Sequence, residues 1–281
     1  MDFTYPQSNT VIFGFDSAWT DAPKAPGAIC AIAFDDRGEV RFHEPRLVSF
    51  AQARSFIEEL RESFAVSLVA LDQPTVVPNE SGSRPVEKVA ASLVSFVGGG
   101  VQPANRSKVG MFCEDAPIWP FLSDLASTQD PMAARTAGAG HFLMEVFPAL
   151  ALPAFSDVFS GRLRAPKYNP QNRKKFRLED WHSVAQVIQD VADRFGMRDL
   201  ADWAREMQSL PDPRKSDQDK IDAAICALIG LGWRAGPAHR SAMLGDLQSG
   251  YMVTPISDAT RPRLEGAATR RGVPFAHPVD L

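Results

Sequence analysis

The sequence predicts an α/β fold on a mixed sheet: an antiparallel three-strand meander, extended by parallel strands and flanked by helices. Three observations carry this. Three apolar runs follow one another near the N-terminus with only turn signals between them. The third gives way to a stretch of helical period. A fourth apolar run follows at once, and a helix between two strands of one sheet is the crossover that parallel pairing requires.

The first run is Val11 to Trp19, VIFGFDSAW. Val11, Phe13 and Phe15 share one face of a strand, Ile12 and Gly14 the other, and Asp16 falls on the Ile12/Gly14 face. A strand apolar on both faces reads as central in its sheet. An unpaired carboxylate buried there would cost roughly several kcal/mol. Asp16 is therefore expected where the strand reaches a cleft, compensated by a cation or a proton. The plainer alternative is that it caps a turn before Ser17 and Ala18.

Ala28 to Phe34 reads as the second strand, Asp35-Asp36-Arg37-Gly38 as a turn, and Val40 to Phe50 as the returning third strand. From Phe50 to Phe64 the period changes. Ala53, Phe56, Ile57, Leu60 and Phe64 line one helical face, opposite Glu58, Glu59, Arg61 and Glu62. Ser67 to Asp72 is a short strand that again ends in a carboxylate. Prolines and the Gly98–Gly100 run then break the pattern, giving an irregular insertion at about 75–140 with helices near Glu87–Phe96 and Trp119–Ala126. His141 to Leu150 reads as a further buried strand with Glu145 in its middle.

Arg162 to Arg177 is a basic loop with seven Lys/Arg and no acid. It opens a helical elaboration at about 160–212, with an amphipathic helix through Trp181, Val184, Ile188 and Phe195 and a second from Arg198 to Leu210. Asp217 to Trp233 is a strongly apolar helix, Gly250 to Pro255 a small strand, and Pro262 to Arg271 a closing helix. The chain, residues 1–281, reads as a single domain with these elaborations.

A net charge of -4 argues against bulk-charge coating of nucleic acid but leaves room for a local basic patch. The three cysteines, Cys30, Cys113 and Cys226, form no CxxC pair, so neither zinc nor a disulfide framework is expected and a reducing compartment fits. MDFTYPQSNT has no basic n-region or apolar core, and the longest apolar run, Ala223 to Trp233, is too short to span a bilayer. A cytoplasmic protein without membrane contact is the expectation.

The chemistry converges on carboxylates. Asp16 and Asp72 end two strands that, if parallel neighbours, emerge at one sheet edge, where open α/β folds bind ligands. Asp219 and Asp222 sit three apart on the late helix and share a face, and Asp222 precedes the apolar run AAICALIGL. Mg²⁺ or Mn²⁺ takes oxygen ligands of this kind, and paired ions clamp a phosphodiester. Taken singly, each acid has a structural alternative: a helix-dipole partner for Asp219, a turn former for Asp72, a core Arg partner for Glu145. No GxxxxGK[ST], no GxSxG and no histidine cluster is present.

This order of strands, helix and carboxylates resembles the ribonuclease H-like fold. More narrowly, the chain resembles the predicted ribonuclease H-like nucleases of domain of unknown function 429. The matching residues are Gly14-Phe15-Asp16-Ser17-Ala18-Trp19, Leu71-Asp72-Gln73-Pro74, Arg84-Pro85-Val86-Glu87, Met144-Glu145-Val146-Phe147-Pro148, Lys167-Tyr168 and Asp219-Lys220-Ile221-Asp222-Ala223-Ala224. One departure is Gln73, where the family more often has a small residue. The late helix also resembles that of Holliday-junction resolvases, in which an acidic pair at this spacing holds metal.

The resemblance implies a nuclease hydrolysing phosphodiester bonds with Mg²⁺ or Mn²⁺ on Asp16, Asp72, Asp219 and Asp222, and with Glu145 an outer member of the catalytic set. Arg84 and Glu87 would organise the mouth of the site, Lys167 would bind a phosphate, and Tyr168 would stack on a base. Nucleic acid is the expected partner, through the Arg162–Arg177 loop. Two alternatives stand beside this. An ATP-using phosphotransferase of the actin-like branch needs phosphate-binding glycines after the first strand, where Asp16 to Asp21 has none. A binding or regulatory module would keep the fold with a vestigial site.

Overall fold

A computed structural model describes residues 9–278. Most of the N-terminal segment read as lacking a signal, residues 1–8, lies outside the described residues, as do 279–281. The elements run β1 (Thr10–Asp16), β2 (Gly27–Phe34), β3 (Val40–Val48), α1 (Phe50–Arg61), β4 (Val66–Asp72), α2 (Pro85–Val94), α3 (Ile118–Leu125), α4 (Pro131–Thr136) and β5 (Gly140–Glu145). They continue with α5 (Pro148–Phe155), α6 (Leu178–Arg194), α7 (Arg198–Gln208), α8 (Lys215–Ala235), β6 (Ser241–Asp246), β7 (Gly250–Pro255), α9 (Arg261–Arg271) and β8 (Phe275–Ala276).

The main sheet has the order β3-β2-β1-β4-β5 and is mixed, as its sequence pattern predicts. β1 pairs antiparallel with β2 and parallel with β4, and β4 pairs parallel with β5. β1 is central, and all seven of its residues are buried. One face, through Val11, Phe13 and Phe15, packs on α1 and α3. The other, through Ile12, packs on α8 and the helices beyond it.

Gly14 sets how closely α8 approaches. A Cβ there would stand 2.0 Å from the Ala223 carbonyl oxygen and 2.4 Å from the Ala227 amide nitrogen, both backbone atoms. A second contact, Gly230 on Ile12, has the same character, with a Cβ falling 2.7 Å from Ile Cγ2. The helix therefore lies directly on the strands, which brings its first turns to the sheet's carboxyl edge. Its far end is fixed by Arg135 of α4, which donates to the Trp233 and Gly236 carbonyls, groups a helix C-terminus leaves unpaired.

The structure departs from the sequence reading at several joints. The third strand stops at Val48, because Ser49 caps α1 in a reciprocal capping box with Gln52. The strand read as His141–Leu150 stops at Glu145, and Pro148 opens α5, a position where proline's missing N–H costs nothing. The insertion also holds α4, capped by Asp130, which the sequence reading did not include. β6 was likewise not expected. It pairs with β7 and β8 in a second sheet, backed by α2 and α9 and joined to the first through a Val146–Val253 bridge. Among the described residues no helix is long and apolar enough to cross a membrane.

Candidate active site at the carboxyl edge of the sheet

Asp16 and Asp72 are register partners, the last residues of neighbouring parallel strands. The carboxylate on β1 thus meets the one on β4 at the same edge. Among the described residues no protein group donates a hydrogen bond to either carboxylate, although Asp16 is buried. Burial raises the pKa of both, and neighbouring acids raise them further. Asp222 and Asp72 act on Asp16, and Asp222 and Glu145 on Asp72.

α8 brings the second acidic pair. Asp222 accepts from the Tyr168 hydroxyl at 2.6 Å and from Gln218 Nε2 at 3.0 Å. Burial pushes Asp222 up to about 6 despite these donors and Lys215, which favour its charged form. Asp219 forms an ion pair with Lys215, one helical turn earlier. Burial works against the Lys215 ammonium, but Asp16, Asp219 and Asp222 outweigh it and hold its pKa above the usual lysine value. Lys215 is the nearest thing the cluster has to a resident cation. The sequence reading passed over it, although its spacing of four from Asp219 was visible.

The loop after β1 is held by a small network. Gln73, fully buried, accepts from the Ser17 hydroxyl and donates through Nε2 to the Trp19 carbonyl at 3.4 Å. Trp19 has φ of 45°, the left-handed region, and its ring stands edge-on to Phe112. Gln73 thus ties β4 to this turn. Asp72 opens on a cavity of about 110 Å³ whose walls include Trp19, Gln102, Glu145, Phe147 and Met252.

The remaining predicted residues fall into two groups. Glu145 lies across from Leu71 and is taken up by Arg84, which donates from Nη2 at 2.6 Å and Nη1 at 2.9 Å, with the Thr75 amide at 3.1 Å. Glu87 receives Arg84 Nε at 2.8 Å and the Ala104 amide at 3.0 Å. Arg84, Glu87 and Glu145 therefore form a buried, internally paired cluster that clamps the insertion to the sheet. Lys167 turns its ammonium to the Gly98 carbonyl at 2.7 Å, while Tyr168, beside it in the basic loop, reaches the acidic cluster.

The carboxylates' fit to a divalent ion can be judged from their donors. Among the described residues no group of three or more His, Cys, Asp or Glu stands ready to hold a metal. Magnesium, however, keeps several waters and is bound through one or two carboxylates plus substrate phosphates. Asp16 and Asp72, adjacent in register, without donors and raised by burial and by neighbouring acids, suit such a site, with Asp222, held by Tyr168, close enough to act on both. A full protein cage is not what this edge offers.

An α/β protein with an acidic cluster at the carboxyl ends of its central parallel strands is what the fold and site define. The family model described as protein of unknown function (DUF429) matches residues 14–243, and the chain belongs to that family. The matched span takes in Asp16, Asp72, Glu145, Asp219 and Asp222. No curated protein and no solved structure matched the chain.

Proposed function

We propose that the protein is a nuclease of ribonuclease H-like type that hydrolyses phosphodiester bonds with Mg²⁺ or Mn²⁺ held by Asp16, Asp72 and Asp222. The observation that carries the proposal is the pair of strand-end carboxylates, in register and left without donors, in a fold that pairs its buried acids Glu87, Glu145, Asp219 and Asp222. A bound divalent ion would supply the Lewis acidity that phosphodiester hydrolysis needs. The chain's own groups do the rest. Asp219 holds Lys215 against the cluster, Tyr168 keeps Asp222 oriented, and the Gln73 network fixes the turn that presents Asp16.

Cleavage of single-stranded, duplex, hybrid and branched substrates with Mn²⁺ or Mg²⁺ tests this, with Asp16→Asn beside wild type. Loss of cleavage in the variant is expected, and cleavage that survives unchanged refutes the assignment. Saturating Mn²⁺ should also stabilise the wild type. At a hundredfold excess over Kd the gain is about 2.7 kcal/mol, or roughly 5 to 10 °C in Tm for a chain of this size.

One observation favours a second reading. Lys215 already compensates the cluster, as it would in a non-catalytic binding module with a vestigial site. A wild type whose Tm does not respond to Mn²⁺ selects that reading.

A further inference from the structure

We infer that the substrate is a polynucleotide strand, carried along a basic strip from the acidic cluster, over residues 162–168, to α9. The inference rests on the phosphodiesterase reading for its chemistry and adds the substrate's size and path.

The strip begins where Tyr168 meets Asp222. From there the loop runs back pinned to the segment after α2. Lys167 Nζ donates to the Gly98 carbonyl at 2.7 Å, the Ala165 amide to Val97 at 2.6 Å and the Leu163 amide to Phe96 at 3.0 Å. A basic segment tied down at alternate residues is a fixed surface. The Arg164 stem covers Gly161, where an added Cβ would meet its Cγ at 3.1 Å.

α9 continues the strip from the other side of Phe96. The Arg263 guanidinium carbon sits 3.7 Å from the Phe96 ring centroid, so the cation is braced flat on an aromatic face. Arg263 and Arg270 share an open hollow with Ser160 and Phe96, and no carboxylate lines it. Glu265, the one acid of α9, lies two residues from Arg263, about 200° round the helix.

What makes this surface a phosphate track is that its cations are unspent. Arg162, Arg164, Arg263 and Arg270 are exposed, and among the described residues their side chains make no hydrogen bond or ion pair. The buried arginines, by contrast, are consumed: Arg84 by two glutamates, and Arg135 and Arg234 by backbone carbonyls. Free guanidinium groups match phosphate oxygens bidentately. On a chain of net charge -4, four of them along one path are a local device and not a property of the whole surface.

The path also sets a length. Five residue steps, from Tyr168 back to Leu163, span at most about 18 Å. That is about five nucleotides at a rise of about 3.4 Å per strand, with the α9 arginines beyond. A dinucleotide or a small phosphodiester reaches the acids and nothing else. α9 lies past residues 14–243, the span that the family model matches.

The test is binding of labelled single strands of about 4 and about 12 nucleotides to full-length protein carrying Asp16→Asn, with and without the added pair R263A and R270A. Each lost phosphate contact lowers the slope of log K against log salt by about 0.7, so the pair should lower it by about 1.4 for the long strand. Taking the lines to meet at about 1 M salt, affinity at about 0.1 M falls about 25-fold. The short strand should lose less than about threefold, and the pair R263K and R270K should keep most of the long-strand affinity.

Equal losses at both lengths, no loss at either, or a lysine pair as weak as the alanine pair overturns the inference. So does dependence of anionic-vesicle binding, but not oligonucleotide binding, on these arginines. Cleavage by the wild type is read separately: its absence sinks the phosphodiesterase reading, while the length-dependent loss would still stand.

Discussion

Replacing Asp222 with Asn should stabilise the metal-free protein at neutral pH and leave it almost unchanged in acid. Burial is the largest cause lifting Asp222 from 3.8 to about 6, against the Tyr168 hydroxyl, Lys215 and Gln218. The sign follows from proton counting. Between about pH 4 and 6 the folded protein holds a proton here that the unfolded chain has lost, so stability falls as pH rises through that window. Above about pH 6 the whole penalty is in place. At about 1.36 kcal/mol for each step of one in pKa, the difference between 3.8 and about 6 is worth about 3 kcal/mol. Asn is uncharged at every pH, has the volume of the protonated acid, and can still accept from Tyr168.

Urea unfolding in chelator, at about pH 4 and about pH 8, measures this. Asp222→Asn should gain up to about 3 kcal/mol over wild type at the higher pH and little at the lower. Saturating Mn²⁺ should then narrow or reverse the gap, because the cation compensates the charge at position 222, which the wild type alone carries. A variant that loses stability equally at both pH values would refute the reasoning, since Asp222 would then be an ordinary hydrogen-bonding residue.

Three further outcomes follow from the same geometry. Gly14→Ala puts a methyl into the α8 backbone and should cost about 3 kcal/mol or more in urea unfolding, the upper end for overpacking. Arg84→Met strips the guanidinium from two buried glutamates and should cost about 3–5 kcal/mol at neutral pH; unfolding at acid pH, where the glutamates protonate, should recover part of it. Tyr168→Phe removes a donor that favours the Asp222 carboxylate, so the pKa of Asp222, followed by NMR titration of the metal-free protein, should move upward from about 6.

Much of the fold was legible because β1 and α8 announce themselves. VIFGFD is apolar on both faces, and AAICALIGL follows an acidic pair, so a central strand and an inward helix are readable from the sequence. Where the chain changes element, local chemistry decided against periodicity. Ser49 with Gln52 ended β3 early, and Pro148 turned an apolar run into α5. β6 escaped because SAMLGD has neither alternation nor a sustained apolar run, and its partners β7 and β8 specify it from outside. At the site, strand-end position located Asp16 and Asp72. Periodicity paired Asp219 with Asp222, but it could not show that Tyr168 arrives from a loop some fifty residues away.

The two acids at the edge of β4 and β5 sharpen the case for a site. Glu145 lies opposite Leu71, one residue before Asp72, so both acids end at the same edge of the sheet, Glu145 buried and Asp72 partly open. For Glu145 the fold supplies Arg84, fully buried, at 2.6 Å, with the Thr75 amide besides. The insertion that delivers Arg84 passes Asp72 on the way, at Gln73 and Pro74, and gives it no donor. A fold that brings a guanidinium and a backbone amide to one buried carboxylate has left the adjacent Asp72, and its register partner Asp16, to be compensated from elsewhere. Lys215 answers part of that demand from a position that leaves it about two-fifths exposed. An exposed ammonium exchanges with solvent cations far more readily than a buried guanidinium does. The pairing of Arg84 with Glu145 is therefore architecture, whereas the charge on Asp16 and Asp72 is free to be met by a ligand.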